Sequence, residues 1–165
     1  MIKGEFLTIE PSMSEGSYVI KDEKKIKIGK IQIMEYSEGN RNCTAKLYFD
    51  ENKEEYLADS IKSFMDWLFS NSNTYKINII IREDIELKPF LNLNFHIEGV
   101  ITNNSIYESK FYNEIMMCID GDAYNKLKTV NLVRIDGDKL YLRILTSEDA
   151  EELLSYYERN KEYLS

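Results

Sequence analysis

Histidine, cysteine and proline are scarce in this chain of 165 residues, which has one His, two Cys and two Pro. His96, Cys43 and Cys118 show no metal-ligand spacing, so a zinc site would need carboxylate-rich ligation and none is expected. There is no Ser-His-Asp set and no phosphate-binding Gly-Lys loop. No stretch approaches the ~20 apolar residues of a membrane span, and the opening MIKGEFLTIE lacks the apolar run of a signal peptide. The expectation is a cytoplasmic chain with reduced thiols and no membrane partner. Basic excess is missing too. Against 29 Asp and Glu stand 21 Lys and Arg, a net charge of −8, so nucleic-acid binding through clustered cations is not expected. Solenoid repeats and low-complexity tracts are also missing.

What is present suits one domain with its own core: 43% hydrophobic residues, twelve tyrosines and seven phenylalanines. The organising stretch is Ala45 to Phe69. Ala45, Leu47 and Phe49 alternate with Lys46, Tyr48 and Asp50, the period of a half-buried strand. From Leu57 the period changes, and Leu57, Ile61, Phe64, Met65, Leu68 and Phe69 form one apolar stripe on a helix over 56–71. A strand entering a helix N-terminus is a common phosphate site, because the first backbone N–H groups are unpaired and the helix dipole is positive there.

Around this unit, 5–9 is a short strand candidate, followed by a loop rich in Pro and Ser. Strands over 18–20 and 25–34 form a hairpin, and a parity flip at Gly29–Lys30 predicts a bulge. Residues 76–81 are a strand of the sheet interior. Residues 83–93 are a short helix that Pro89 should shorten or kink. Strands over 95–102 and 110–119 are joined by a polar loop, 103–109, and 120–126 is a turn or one helical turn. The tail carries two alternating strands, 130–135 and 140–145, joined by Asp136-Gly137, a hairpin signal. A helix over 148–163 follows, capped by Thr146 or Ser147 and acidic in its first turn, as the dipole prefers.

The block EYLADSIKSFMDWLF resembles the core motif of the GNAT (GCN5-related) acyl-CoA N-acetyltransferases, in the branch that acetylates ribosomal-protein N-termini. The block YKINIIIREDIELKPFLNLNFHIEGVI resembles that branch's next strand, its following helix and the turn after it. KLYLRILTSEDAEELLSYYERNKEYL resembles the first strand and first helix of such a domain, here at the end of the chain. The implied fold is α/β: a GNAT-like mixed, mostly antiparallel sheet flanked by helices, with the first strand–helix unit displaced to the C-terminus. Residues 1–128 would be a core lacking that unit, and 129–165 the unit itself. It is expected to dock on a sheet, completing its own or, in a swapped homodimer, a partner's; the alternatives are that it opens a second acetyltransferase domain or merely decorates the first.

The resemblance also implies acetyl-CoA as co-substrate and a primary amine of a small molecule or protein as acceptor. CoA would lie against Leu47, Tyr48 and Phe49 at the strand end, Lys53 in the turn, and Tyr56, Leu57 and Ala58 at the helix start. Aligned on the family turn, Asn52, Lys53, Glu54 and Glu55 replace its glycine-rich segment, so this phosphate turn is degenerate. Two carboxylates then lie near the expected pyrophosphate. A like-charge pair at ~6 Å costs close to 3 kcal/mol at an effective dielectric of ~20. Glu83 and Glu86 fall at the second CoA-contacting element, and Phe90 falls where many relatives carry a Tyr as general acid. Asn94 replaces a glycine, in a left-handed conformation that Asn tolerates. The catalytic base is not identified. Glu35, Glu98 and Glu114 are candidates, with His96 as a further titratable group and Tyr36, Tyr48 and Tyr112 as possible cleft residues. The alternative is a non-catalytic binding or interaction module on the same scaffold.

Overall fold

The computed structural model describes residues 1–50, 54–128, 135–136, 141–142 and 150–160. They fall into two compact units, 1–128 and 129–165. In the first, the strands are β1 (Ile2–Lys3), β2 (Leu7–Pro11), β3 (Ser17–Asp22), β4 (Lys27–Ser37), β5 (Asn42–Phe49), β6 (Lys76–Arg82), β7 (His96–Tyr107) and β8 (Lys110–Asp120). Its helices are α1 (Glu54–Asn71), α2 (Lys88–Asn92) and α3 (Gly121–Lys128). The strands make one sheet in the order β1-β2-β3-β4-β5-β6-β8-β7. Every pairing is antiparallel except β5 with β6. That parallel pair is joined through α1, as parallel neighbours require a crossover. The expected mixed, mostly antiparallel sheet is therefore present.

The apolar stripe of α1 explains why the helix lies on the sheet. Leu57, Ile61, Phe64, Met65 and Leu68 are all buried, each contributing roughly 1.5–3 kcal/mol. They meet one face of the strands, including Ile9, Ile20, Ile31, Ala45, Ile77, Ile79 and Met117. Ser60 and Ser63 are buried on the same helix. Ser60 donates to the Tyr56 carbonyl at 2.6 Å and Ser63 to Asp59 at 3.1 Å, so neither hydroxyl is left unsatisfied. At the far end of α1, Phe69 stacks on Tyr124 of α3 at 4.2 Å, and the Tyr124 hydroxyl bonds Asp66 at 2.9 Å.

Several boundaries differ from the sequence expectations for physical reasons. The bulge between β3 and β4 falls at Ile28, since Ile20 pairs with Gly29 and Lys21 with Lys27. It still produces the parity flip, leaving Ile26 exposed and Ile28 and Ile31 buried. Helix α2 begins only at Lys88, with Pro89 in its first turn, where the missing N–H costs nothing. The polar stretch 103–109 is mostly strand. The hairpin closes through Glu108 and Ser109, both at positive φ (46° and 64°), the signature of a tight two-residue turn. Asn94 has φ 60°, as its sequence position implies.

Gly29 shows how tightly β4 and β5 meet. A Cβ there would lie 2.7 Å from the Tyr48 carbonyl oxygen and 2.9 Å from the Phe49 ring. Backbone cannot swing aside as a side chain can. Gly29→Ala is expected to cost about 2 kcal/mol by overpacking, read as a lower denaturation midpoint at unchanged m-value.

In the second unit, β9 (Ile135–Asp136) pairs antiparallel with β10 (Tyr141–Leu142), and α4 spans Ala150–Arg159. Asp136, expected in the turn, is instead a strand residue paired with Tyr141. Gly137, most of the two expected strands, the helix cap and the ends of the expected helix lie outside the described residues. Leu153, Leu154, Tyr156 and Tyr157 of α4 are exposed. In the first unit, the sheet position beside β3 is filled by β2, with β1 beyond it.

Candidate active site

The parallel pair β5–β6 stays in register from Asn42↔Lys76 to Lys46↔Ile80, and there the pairing stops. Beyond it β5 continues to Phe49 and β6 to Arg82, so Leu47 to Phe49 carry backbone groups no longer bonded to β6. A cleft of about 230 Å³ opens at this divergence. One wall is Lys46 to Asp50. The other is Arg82, Asp84 and Ile85, with Ser105, Ile106, Tyr107 and Glu114 from the β7–β8 hairpin.

Glu114 is the chemical centre of the cleft. Its side chain is 2% exposed and is paired with the Lys46 ammonium, while Asn104 Nδ2 donates to its second oxygen at 2.8 Å. Burial pushes the Glu114 carboxyl up, but the Lys46 and Asn104 hydrogen bonds outweigh it and hold the group below the usual carboxylate range. Burial likewise works against the Lys46 charge, yet the Glu114 contact keeps that amine above its ordinary value. Both groups are ionised at neutral pH. Arg82 braces the far wall. It forms a fork with Asp84 at 2.5 and 2.7 Å and lies 4.1 Å from the Tyr107 ring centroid and 4.9 Å from that of Tyr112. Lys46 also lies 5.4 Å from the Tyr48 ring centroid.

Of the residues the sequence nominates, Leu47, Tyr48 and Phe49 line the cleft. Lys53 lies outside the described residues. Tyr56 is half-buried against Phe6, with ring centroids 6.4 Å apart, and Ala58 is half-buried on the same helix. Leu57 is in the core at 3% exposure, so its side chain faces the sheet. Glu54, at the first turn of α1, is paired with Lys88 at 3.0 Å, which offsets part of the like-charge penalty expected there. Glu83 is committed to Asn113 through its backbone N–H (2.8 Å) and Nδ2 (2.9 Å), and Glu86 accepts from the Lys88 N–H at 3.2 Å. Phe90 is fully buried, edge-on to Phe95 at 5.8 Å between centroids. The resemblance sets it at a general-acid position; its ring packs in the core.

Glu35 and Tyr36 are exposed toward the other end of β4, where Glu35 pairs with Thr44. His96, Glu98 and Cys118 come together away from the cleft, within 4.8 Å of one another. Spacing along the chain hides this cluster, because the hairpin register is what sets His96 opposite Cys118. Lys46 and Asn104 are the functional candidates that sequence reading missed. The signal was available in the case of Lys46, whose alternation with Leu47 puts it on the face opposite the core.

Comparison of the sequence with family models and with curated proteins finds no match. Solved structures do match. The N-terminal domain of a ribosomal-protein-alanine acetyltransferase from Clostridium acetobutylicum is 31% identical, with a TM-score of 0.73 over 76% of this chain and 98% of that one. A spermidine N-acetyltransferase from Vibrio cholerae, solved with CoA and spermine, is 18% identical with a TM-score of 0.54 over 66% of this chain and 67% of its own. A GNAT-family acetyltransferase from Bacillus anthracis is 12% identical with a TM-score of 0.52 over 67% and 69%. The last two share the fold; the first carries identity over nearly its whole length. With that identity over three quarters of this chain, and the same sheet architecture, the chain belongs to the GCN5-related N-acetyltransferase family.

Proposed function

We propose that the chain is an acyl-CoA-dependent N-acetyltransferase, moving an acetyl group from acetyl-CoA to a primary amine of a small molecule or protein. The observation that carries this reading is the divergence of β5 and β6 into a cleft with an ionised carboxylate at its floor. The edge of Leu47–Phe49 that no longer pairs with β6 suits the amide groups of a pantetheine arm. The acceptor nitrogen attacks the thioester carbonyl, the C–S bond breaks, and the thiolate leaves to be protonated. Glu114 takes the proton that the amine sheds, which requires it to be unprotonated at neutral pH. The start of α1 fits the pyrophosphate less well, since Glu54 and Glu55 stand in its first turn.

A second reading, a non-catalytic module of the same fold, is favoured by one observation. Both oxygens of Glu114 are already engaged, by Lys46 and Asn104. A thermal-shift titration with acetyl-CoA separates the two. Ligand at 100 times its dissociation constant stabilises by about 2.7 kcal/mol. A clear rise in midpoint supports the enzyme, and no rise at millimolar acetyl-CoA supports the module.

For the tail, the reading best supported is that residues 129–165 open a second acetyltransferase unit rather than complete the first. The sheet position beside β3 is filled by the chain's own β2. The relative that matches over 98% of its length is by name an N-terminal domain. Among the described residues of helix α4, Leu153, Leu154, Tyr156 and Tyr157 are exposed. Deletion of 129–165 is expected to leave a monomeric, cooperatively folding 1–128 by size exclusion with light scattering. A dimer that needs the tail would instead favour the swapped arrangement.

A further inference from the structure

The face of the sheet opposite α1 carries a second group of chemically active side chains, away from the cleft. Cys118 lies on β8 four positions after Glu114, roughly 13 Å along the strand. Its Cα partner on β7 is His96. Regular pairing would then carry Glu98 on beside Met116, but Ile97 pairs with Met117 and Gly99 with Met116, so Glu98 is the extra residue of a bulge. Bulges re-aim side chains. This one gathers the Glu98 carboxylate, the His96 ring and the Cys118 sulfur within 4.8 Å of one another. His96 Nε2 is 3.0 Å from Cys118 Sγ. Glu98 is held from the other side by Lys76, whose Nζ lies 2.5 Å from Oε1.

We propose that His96, Glu98 and Cys118 form a binding site for a divalent transition metal of the zinc type. One nitrogen, one oxygen and one sulfur donor are the ligand types zinc takes, and three protein ligands leave a fourth position for water or an incoming group. Metal–ligand bonds of about 2.0–2.3 Å in a tetrahedron set neighbouring donors roughly 3.3–3.7 Å apart. The donors here start at 3.0 Å and none is beyond 4.8 Å, so small side-chain rotations close the site. On binding, the Cys118 S–H bond breaks, sulfur joins the metal, and the proton goes to solvent. His96 ligates as neutral imidazole. Lys76 is the competing cation. It is bonded to Oε1, which leaves Oε2 for the metal, and it is exposed enough (36%) to swing away.

The test uses the whole chain, reduced and stripped of metal, titrated with Co²⁺ alone and then with Zn²⁺ in competition. One equivalent of Co²⁺ is expected to give a thiolate-to-cobalt charge-transfer band in the near ultraviolet, which Zn²⁺ abolishes. Cys43→Ala should leave the band unchanged, since the other cysteine is in the core. His96→Ala removes an exposed side chain and spares the fold, so it guards against a misfolded Cys118→Ser. Both should weaken binding by more than the roughly 10–100-fold typical of a lost outer-shell group. Lys76→Met should tighten it, by freeing the carboxylate. A band that is missing at millimolar Co²⁺, survives Cys118→Ser or is indifferent to His96→Ala overturns the site.

Discussion

Glu114→Gln is expected to lower turnover by roughly 10²–10⁴-fold, the range for loss of a positioned proton acceptor, with KM for acetyl-CoA little changed. The substitution keeps the size of the side chain and removes only its charge and proton affinity. It also leaves Lys46, 19% exposed, without its partner. A cation stranded beside the core is costly, although Lys46 can still reach water, so a loss of about 2 kcal/mol is expected by chemical denaturation. The paired replacement Lys46→Met with Glu114→Leu separates the two effects. An apolar pair of similar volume should recover most of the stability and none of the turnover.

The pH profile carries its own sign. The folded-state Glu114 carboxyl is held below its ordinary value of 4.5. Its contribution to stability is therefore fully present above that value and is lost as pH falls through the depressed one. Glu114→Gln should flatten this acid-side slope of the denaturation free energy. Turnover near neutral pH should not titrate with Glu114 at all, because the group is already ionised there.

Phe90→Ala is expected to have the largest effect on stability, about 3–5 kcal/mol. At ~2–4 °C per kcal/mol for a chain of this size, the melting midpoint would fall by roughly 6–20 °C. The ring is fully buried and fills the space between α2 and Phe95, with few ways for so short a helix to collapse into the void. Phe90→Tyr tests the other meaning of this position. If a hydroxyl there could serve as general acid, turnover would rise. The ring's burial predicts no gain in rate and a loss of about 1–3 kcal/mol from a hydroxyl without a partner.

These residues also mark how far the sequence could be read. The β5–α1 unit was legible because its period changes from 2 to 3.6 at one place, and the parallel neighbour β6 followed from a run of alternating isoleucines. The strand end Leu47–Phe49, expected to meet CoA, lines the cleft. Leu57 is placed by its motif position at the helix start, and the apolar stripe claims its side chain for the core. The floor of the cleft joins residues from three strands, Lys46, Asn104 and Glu114, which only the register brings together. Glu114 could be nominated as one acid among three, whereas its partners could not. The polar stretch 103–109 was misread as loop because its composition resembles one. Its strand character comes from pairing with Phe111 and Tyr112 across the turn.

The two irregular places in β7 have a bearing on solubility. This strand is the outer border of the sheet and shows Ile97, Val100, Ile101 and Ile106 to solvent, the kind of border along which another chain's strand can align and start an aggregate. The register shifts between Ile97 and Gly99, and again between Ile101 and Ser105. A stranger laid against that border would find its amide and carbonyl groups falling out of step within a few residues. The kinks that bend the hairpin thus also guard a greasy margin against crowding.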